Sequence, residues 1–96
     1  MNIDEALNSI LEEYDRASTA IPSWPIDPIH AASVVTEEAG ELLQAANDSY
    51  YPAHNHNGPT YERMRKEAIQ TAAMALRFLV GLEHYISKNN NRRHDV

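Results

Sequence analysis

The chain has 96 residues, no cysteine and a formal net charge of −6. That length allows one domain, and a domain this small buries only about 60 % of the surface that its unfolded chain exposes. The acidic balance argues against binding polymeric nucleic acid, which needs a basic surface. The lack of cysteine excludes disulfides and thiolate metal sites. No signal peptide or membrane-spanning stretch is visible, because the most apolar segment, 72–82, is short and contains Arg77. We therefore expect a cytoplasmic protein that does not bind membranes.

Hydrophobic spacing predicts a first helix over about residues 3–16, with Asn2 as its N-cap. The apolar positions of this helix are Ile3, Leu7, Ile10, Leu11 and Tyr14. Residues 21–28 contain three prolines and therefore form a connector, because proline interrupts both helices and central strands. The connector ends in a helix-start signal, with Asp27 as N-cap and Pro28 at the first helical position.

Two longer helices follow the connector. The first covers about residues 28–48, and its apolar stripe is Ile29, Ala32, Val35, Ala39, Leu42, Leu43 and Ala46. Residues 49–59 contain Pro52, Gly58 and Pro59 and break the pattern. A last helix, capped by Thr60, continues to about Ser87. Its predicted inward positions are Met64, Ala68, Thr71, Ala72, Ala75, Leu76, Leu79 and Leu82.

These elements predict an all-α fold with one domain over residues 1–88 and a polar C-terminal tail over residues 89–96. Two long helices joined by a turn form an antiparallel hairpin, to which the N-terminal helix is added. The alanine-rich inner faces and the small size of the domain favour association. Two hairpins from two chains would make a four-helix-bundle-like homodimer or homotetramer.

Glutamates on the two long helices form a candidate metal site. Glu38 and Glu41 are three residues apart and project from the same face of the second helix, and Glu67 and Gln70 do the same on the third. Glu41 and Glu67 each lie about 13 residues from the centre of the turn, so the two pairs can face each other across the hairpin. Like charges packed together are unfavourable without a cation. Oxygen ligands on rigid helices suit Mg²⁺ or Mn²⁺, and Mg²⁺ completes its shell with water and substrate phosphates.

Glutamates three residues apart are also common on solvated helix faces, so one such pair alone predicts little. The second pair, however, begins a strongly apolar stretch, residues 67–76. An acid there is poorly solvated, which favours a role for Glu67 in binding a cation.

The motif Glu37-Glu38-Ala39-Gly40-Glu41-Leu42 and a second motif, Glu67-Ala68-Ile69-Gln70, together resemble the MazG-like all-α nucleoside triphosphate pyrophosphohydrolases, with 25 residues between Glu41 and Glu67. That family has an EExxE motif and then an ExxD motif on the next helix. The resemblance covers residues 22–82, and the stretch 24–32 is similar to compact bacterial and phage members. The departure is Gln70, where the family pattern has Asp, so a neutral amide oxygen replaces a carboxylate.

The resemblance implies Mg²⁺-dependent cleavage of a nucleoside or deoxynucleoside triphosphate to the monophosphate and pyrophosphate, a house-cleaning of nucleotide pools. Glu38, Glu41 and Glu67 are the expected metal ligands, with Gln70 as a weaker fourth. Glu37 is expected either to support the metal ligands from behind or to accept the proton of the attacking water, with a solvated glutamate as the alternative. Bound metal would neutralise and orient the phosphates.

Four further residues are candidates for substrate binding. Trp24, the single tryptophan, can stack on a base or anchor the connector. His30 lies two helical turns before Glu37 and can line the same groove. Asn47 can contact sugar or base, and Lys66, beside the metal face, can meet phosphate. Structural roles remain open for all four.

Three alternatives were weighed against this interpretation, and the sequence excludes the first of them. A di-iron carboxylate bundle needs Glu-x-x-His pairs, and none is present. A catalytically weak nucleotide-binding or oligomerising helical module is favoured by Gln70. A partner-binding hairpin with no ligand is the third. His54 and His56 form an HxH pair in the loop, but no third ligand follows at a suitable spacing.

Overall fold

The computed structural model describes the backbone of residues 1–51 and 60–94 and the side chains of residues 1–51 and 60–87. It has three helices: α1 (Ile3–Ala20), α2 (Pro28–Tyr50) and α3 (Tyr61–His94). The all-α prediction is therefore confirmed for the described residues. No helix in these ranges combines the length and hydropathy that a membrane span requires.

The predicted N-caps of the first two helices are confirmed. The Asn2 side chain accepts a hydrogen bond from the backbone N–H of Glu5, whose carboxylate accepts from the Asn2 N–H in return. This capping box satisfies two N–H groups that the first turn leaves free. The Asp27 side chain accepts from the His30 N–H at 2.8 Å, and Pro28 occupies the first helical position.

Helix α3 packs against both α1 and α2, and in the described part of the chain no Cα atom of α1 lies within 8 Å of a Cα atom of α2. Ser49 and Thr60 share a hydrogen bond of 2.9 Å where α2 ends and α3 begins, so these two helices are antiparallel. Ala17 of α1 packs near Ala73 of α3. Four residues further along both segments, the Arg77 side chain donates a hydrogen bond to the backbone oxygen of Ile21. Helix α1 therefore runs parallel to α3.

The proline-rich connector is fixed onto α3. The Arg77 guanidinium donates to the Ile21 carbonyl at 2.9 Å and lies 4.7 Å from the centre of the Trp24 ring. The Tyr85 hydroxyl donates to the Pro25 carbonyl at 2.5 Å. A Cβ at Gly81 would approach the Trp24 indole to 3.2 Å, so the glycine provides the space in which this ring lies against α3. These contacts place Trp24 beside the middle of α3.

The core is thin and built from small side chains. Ala17, Ala73 and Met74 form its centre, with Tyr14, Trp24, Val34 and Val35 packed against them. No large side chain among the described residues is completely buried.

Six members of the predicted apolar stripes of α2 and α3 are not covered by this packing: Ile29, Ala32, Ala39, Leu43, Ala68 and Leu79. The three large ones are the most informative, because Ile29 is 83 % exposed, Leu43 63 % and Leu79 62 %. The prediction that these residues face the interior is therefore wrong within one chain. The reason is that each long helix has more apolar width than one neighbouring helix can cover.

All three helices end later than predicted, α2 by only two residues, at Tyr50 instead of about Asp48. Helix α1 reaches Ala20 instead of about Arg16, because Ala17 is buried on α3 and stabilises the added turn. Helix α3 reaches His94 instead of ending near Ser87, and residues 82–94 contain neither glycine nor proline to stop it.

Candidate metal centre

Three carboxylates from α2 and α3 converge at one point. One carboxylate oxygen from each of Glu38, Glu41 and Glu67 can be chosen so that all three lie within 4.8 Å of one another. Glu38 and Glu41 share a face of α2 because they are three residues apart, and the antiparallel pairing places Glu67 of α3 opposite them. The arrangement provides three hard oxygen donors on two rigid helices, which is the donor type that Mg²⁺ or Mn²⁺ prefers.

Two of these carboxylates are partly removed from water. Glu38 and Glu67 are half-buried, and the Oε2 atom of each is buried with no hydrogen-bond partner among the described residues. Burial raises the pKa of Glu38, and the negative charges of Glu41 and Glu67 raise it further. Buried carboxylate oxygens without donors are unfavourable. A cation held by the three acids would remove both the repulsion and the missing contacts.

A depression of about 590 Å³ lies next to the cluster. Glu38 is one of its walls, and Trp24, His30 and Arg77 are others, together with apolar side chains that include Met74. Arg77 is only 9 % exposed. The depression thus joins an acid of the cluster to an aromatic ring, an imidazole and a cation.

Helix α1 brings a fourth acid, Glu13, which was not among the site residues predicted from the sequence. The side chain of Glu13 is only 15 % exposed, and it is one of the charges that raise the pKa of Glu38. A bidentate contact from Arg16 lowers the pKa of Glu13 and keeps it ionised. Lys66 of α3 also contributes to this lowering. The sequence signal is an i,i+3 Glu–Arg pair, which is common on exposed helices and did not indicate the site.

The remaining predicted site residues lie outside the cluster of Glu38, Glu41 and Glu67. Glu37 is exposed, and its charge acts on Glu38. Gln70 and Lys66 line the groove between α1 and α3, together with Glu13. Asn47 is exposed and lines depressions near the turn end of α2, not the one that contains Trp24. The structure thus groups Trp24 and His30 with Glu38 and leaves the other candidates outside that depression.

The HxH pair, His54 and His56, lies outside the described residues.

Comparison of the chain with protein-family models, curated proteins and solved structures found no match.

Proposed function

We propose that the protein is a Mg²⁺-dependent nucleotide pyrophosphohydrolase that cleaves a nucleoside or deoxynucleoside triphosphate to the monophosphate and pyrophosphate. The observation that supports this most is the convergence of Glu38, Glu41 and Glu67 within 4.8 Å. A net charge of −6 repels a triphosphate, so a protein of this composition needs a cation at the place where the phosphates bind.

The donor set fits Mg²⁺ or Mn²⁺. All three groups are carboxylates, and the buried Oε2 atoms of Glu38 and Glu67 lack hydrogen-bond donors within the described ranges. When bound there, the metal would neutralise phosphate charge, orient the triphosphate and favour ionisation of the attacking water. Gln70 lies on the α1-facing side and offers at most a neutral oxygen, so we assign it the weakest role in the metal site.

The other residues act on the substrate. In the reaction, a water oxygen forms a bond to phosphorus, the α–β phosphoanhydride bond breaks, and a proton leaves the water. We assign the acceptance of that proton to Glu37, which is exposed and therefore able to exchange it with solvent. Trp24 and His30 form the wall on which a base can lie, next to Glu38. Lys66 and Asn47 are assigned to phosphate and sugar contacts.

The proposal is tested by incubating the protein with Mg²⁺ and each of the common nucleoside and deoxynucleoside triphosphates. Products are separated by ion-exchange chromatography, and pyrophosphate is measured directly. Formation of the monophosphate and pyrophosphate in equal amounts supports the proposal. Formation of a diphosphate and phosphate would assign the reaction to a different bond and overturn it.

Matched variants connect the activity to the site. Glu41→Gln changes one carboxylate of the cluster to a neutral group of nearly the same shape, and Glu83→Gln makes the same change at an exposed position outside it. Activity that is lost in Glu41→Gln and kept in Glu83→Gln supports the assignment. Equal loss or equal retention in both variants contradicts it.

The second candidate is a catalytically weak nucleotide-binding or oligomerising module, and the neutral Gln70 favours it. It predicts that a triphosphate with Mg²⁺ raises the melting temperature without any turnover. We further propose that the protein acts in the cytoplasm, where nucleotide pools are found, as a homodimer or homotetramer.

A further inference from the structure

Helix α1 runs beside α3 in a parallel register that places Glu13 next to Gln70. The hydrogen bond between Arg77 and Ile21 joins positions that are 56 residues apart in the sequence. Two helical turns earlier, the same offset pairs Glu13 with Ile69, the residue before Gln70. The side chains of Glu13, Ile69 and Gln70 all line one groove of about 710 Å³ between α1 and α3. A carboxylate of α1 therefore lies beside a neutral amide of α3.

Glu13 is unusually protected for an acid on a peripheral helix. Its side chain is only 15 % exposed, whereas the other acids of α1 are all exposed. Its pair with Arg16 is three residues apart on the helix surface, and such pairs contribute little to stability. The ion pair alone thus gives no reason for a carboxylate at a half-buried position of α1.

Two observations connect Glu13 with the carboxylate cluster. Its negative charge is one of those that raise the pKa of Glu38, so it lies within electrostatic range of the cluster. Its neighbour Gln70 follows Glu67 by three residues and so lies on the same side of α3 as that ligand. Glu38 and Glu67 each have a buried Oε2 atom without a hydrogen-bond partner among the described residues. A cation that contacts these atoms would therefore lie within the influence of the Glu13 charge.

Arg16 keeps Glu13 ionised and is itself free to leave. Its Nε and Nη2 atoms donate to the two Glu13 oxygens at 2.7 and 2.5 Å, and this contact lowers the pKa of Glu13. With both oxygens on Arg16, Glu13 is not one of the three acids that lie within 4.8 Å of one another. The Arg16 side chain is 62 % exposed, so a cation can displace it into water. The Glu13 carboxylate can then reorient about its side-chain bonds without a shift of α1.

The donor set of the cluster leaves room for this carboxylate. Mg²⁺ is octahedral, so three carboxylates leave positions that water or further oxygen donors complete. Gln70 offers only a neutral oxygen there, whereas Glu13 offers an ionised one from the opposite wall of the same groove.

We propose that Glu13 supplies a fourth carboxylate to the metal centre, in contact with the cation or with a water bound to it, and that Arg16 holds Glu13 until the cation binds. This inference rests on the proposed function to the extent that the cluster of Glu38, Glu41 and Glu67 binds Mg²⁺ or Mn²⁺. Its test measures cation binding and not turnover.

The test is the affinity of the full-length protein for Mn²⁺ alone, measured from the electron paramagnetic resonance signal of free Mn²⁺ during a titration. Glu13→Gln removes the charge and keeps the shape, and it should weaken binding about 10- to 100-fold, as expected for a group that supports a metal shell. Glu12→Gln is the matched control, because Glu12 is the adjacent residue, lines the same groove and is exposed. It should stay within about 3-fold of wild type, since an exposed charge is screened.

Two more variants separate contact with the cation from other roles. Glu13→Asp keeps the charge but shortens the side chain, so it should also weaken binding if Glu13 makes a contact. Glu13→Gln and Arg16→Gln break the same ion pair, so a purely structural role would give them the same effect. Cation binding predicts opposite effects, because Arg16→Gln removes the competitor for Glu13 and should tighten Mn²⁺ binding.

A rescue variant tests the relation between Glu13 and Gln70. Because the two side chains line the same groove, Gln70→Asp introduced into Glu13→Gln should restore most of the lost affinity. Failure of this rescue, with Glu13→Gln still folded, would contradict the placement of Glu13 at that side of the cation.

The outcomes distinguish this inference from the proposed function. Wild-type Mn²⁺ affinity in Glu13→Gln or in Glu13→Asp overturns the inference and leaves the proposed function with three acids. Mn²⁺ binding that requires Glu13, in a protein without triphosphate turnover, supports the inference and overturns the proposed function. If Glu13→Gln fails to fold, as judged by circular dichroism, Arg16→Gln decides. Tighter binding then supports the inference, and unchanged or weaker binding overturns it.

Discussion

The carboxylate cluster and the exposed apolar side chains of the α2–α3 hairpin are both incomplete within one chain, but for opposite reasons. At the cluster, Glu38 and Glu67 hold charge where water is scarce. On the hairpin surface, Ile29 and Leu79 hold apolar area that is exposed to water. The first condition is relieved by a cation and the second by another apolar surface. The two regions should therefore respond to different additions, and each response can be measured separately.

The largest expected effect is on catalysis at the cluster. Glu67→Gln removes one of three converging carboxylates and should lower kcat/KM for triphosphate cleavage about 100-fold or more, a loss of roughly 3 kcal/mol of transition-state stabilisation. Glu83→Gln should stay within about 3-fold of wild type, because most surface changes are worth less than 0.5 kcal/mol. The measurement is the rate of pyrophosphate release under matched Mg²⁺ concentrations. A Glu67→Gln protein with wild-type kinetics would remove the cluster from the mechanism.

The next effect is that Mg²⁺ should reverse which of two proteins, wild type or Glu38→Gln, is the more stable. With a chelator present, Glu38→Gln should raise the melting temperature by about 2–4 °C, since it removes a desolvated charge from among like charges. With Mg²⁺ well above its dissociation constant, the wild type should gain about 2–3 kcal/mol and overtake the variant. Differential scanning calorimetry with and without Mg²⁺ checks both signs. If Mg²⁺ stabilises the two proteins equally, the cation does not bind at Glu38.

A change at the connector tests how separate the two regions are. Tyr85→Phe removes the hydroxyl that donates to the Pro25 carbonyl and should cost about 0.5–1.5 kcal/mol of unfolding free energy, as measured in urea. Trp24 is next to Pro25 and lines the same depression as Glu38. Tyr85→Phe should therefore also lower the affinity for nucleotide. The solution mass should stay that of wild type, since Tyr85 is buried against the connector and is not one of the exposed apolar side chains of the hairpin. A change in mass without a change in nucleotide affinity would reverse this assignment.

The smallest effect concerns pH. The folded-state pKa of Glu38 is raised, mainly by burial and then by Glu41 and Glu67. The folded protein therefore binds the Glu38 proton more tightly than the unfolded chain does. The stability that this group contributes is fully present below its ordinary pKa of 4.5 and is lost as pH rises through the raised value.

The measurement is the difference in unfolding free energy between wild type and Glu38→Gln, in chelator, from pH 4 to pH 7. Wild type should become less stable relative to the variant as pH increases, and the shared contributions of other carboxylates cancel in the difference. A difference that does not change with pH, or changes in the other direction, contradicts the electrostatic description of Glu38.

Local chemistry made much of the fold predictable. Asn2 and the Asp27–Pro28 pair are helix-start signals whose hydrogen bonds involve only residues within three positions, so sequence alone suffices to place them. The meeting of Glu41 with Glu67 follows from their similar distances to the turn, which fix the register of an antiparallel hairpin.

Features that depend on the placement of α1 were not predictable in this way. Glu13 comes near Glu38 because Ala17 packs on Ala73 and Met74, and no turn of fixed length relates α1 to α3. The exposure of Ile29 was missed for a related reason. A helical stripe shows that a residue is on an apolar side, but not whether the same chain or a second one covers that side.

The position of the single tryptophan gives the protein a built-in optical probe. The indole of Trp24 lies against Gly81, under the Arg77 guanidinium, and on the wall of the depression that Glu38 shares. Its emission therefore originates beside the carboxylate cluster. A titration followed by tryptophan fluorescence would report filling of the depression without any label.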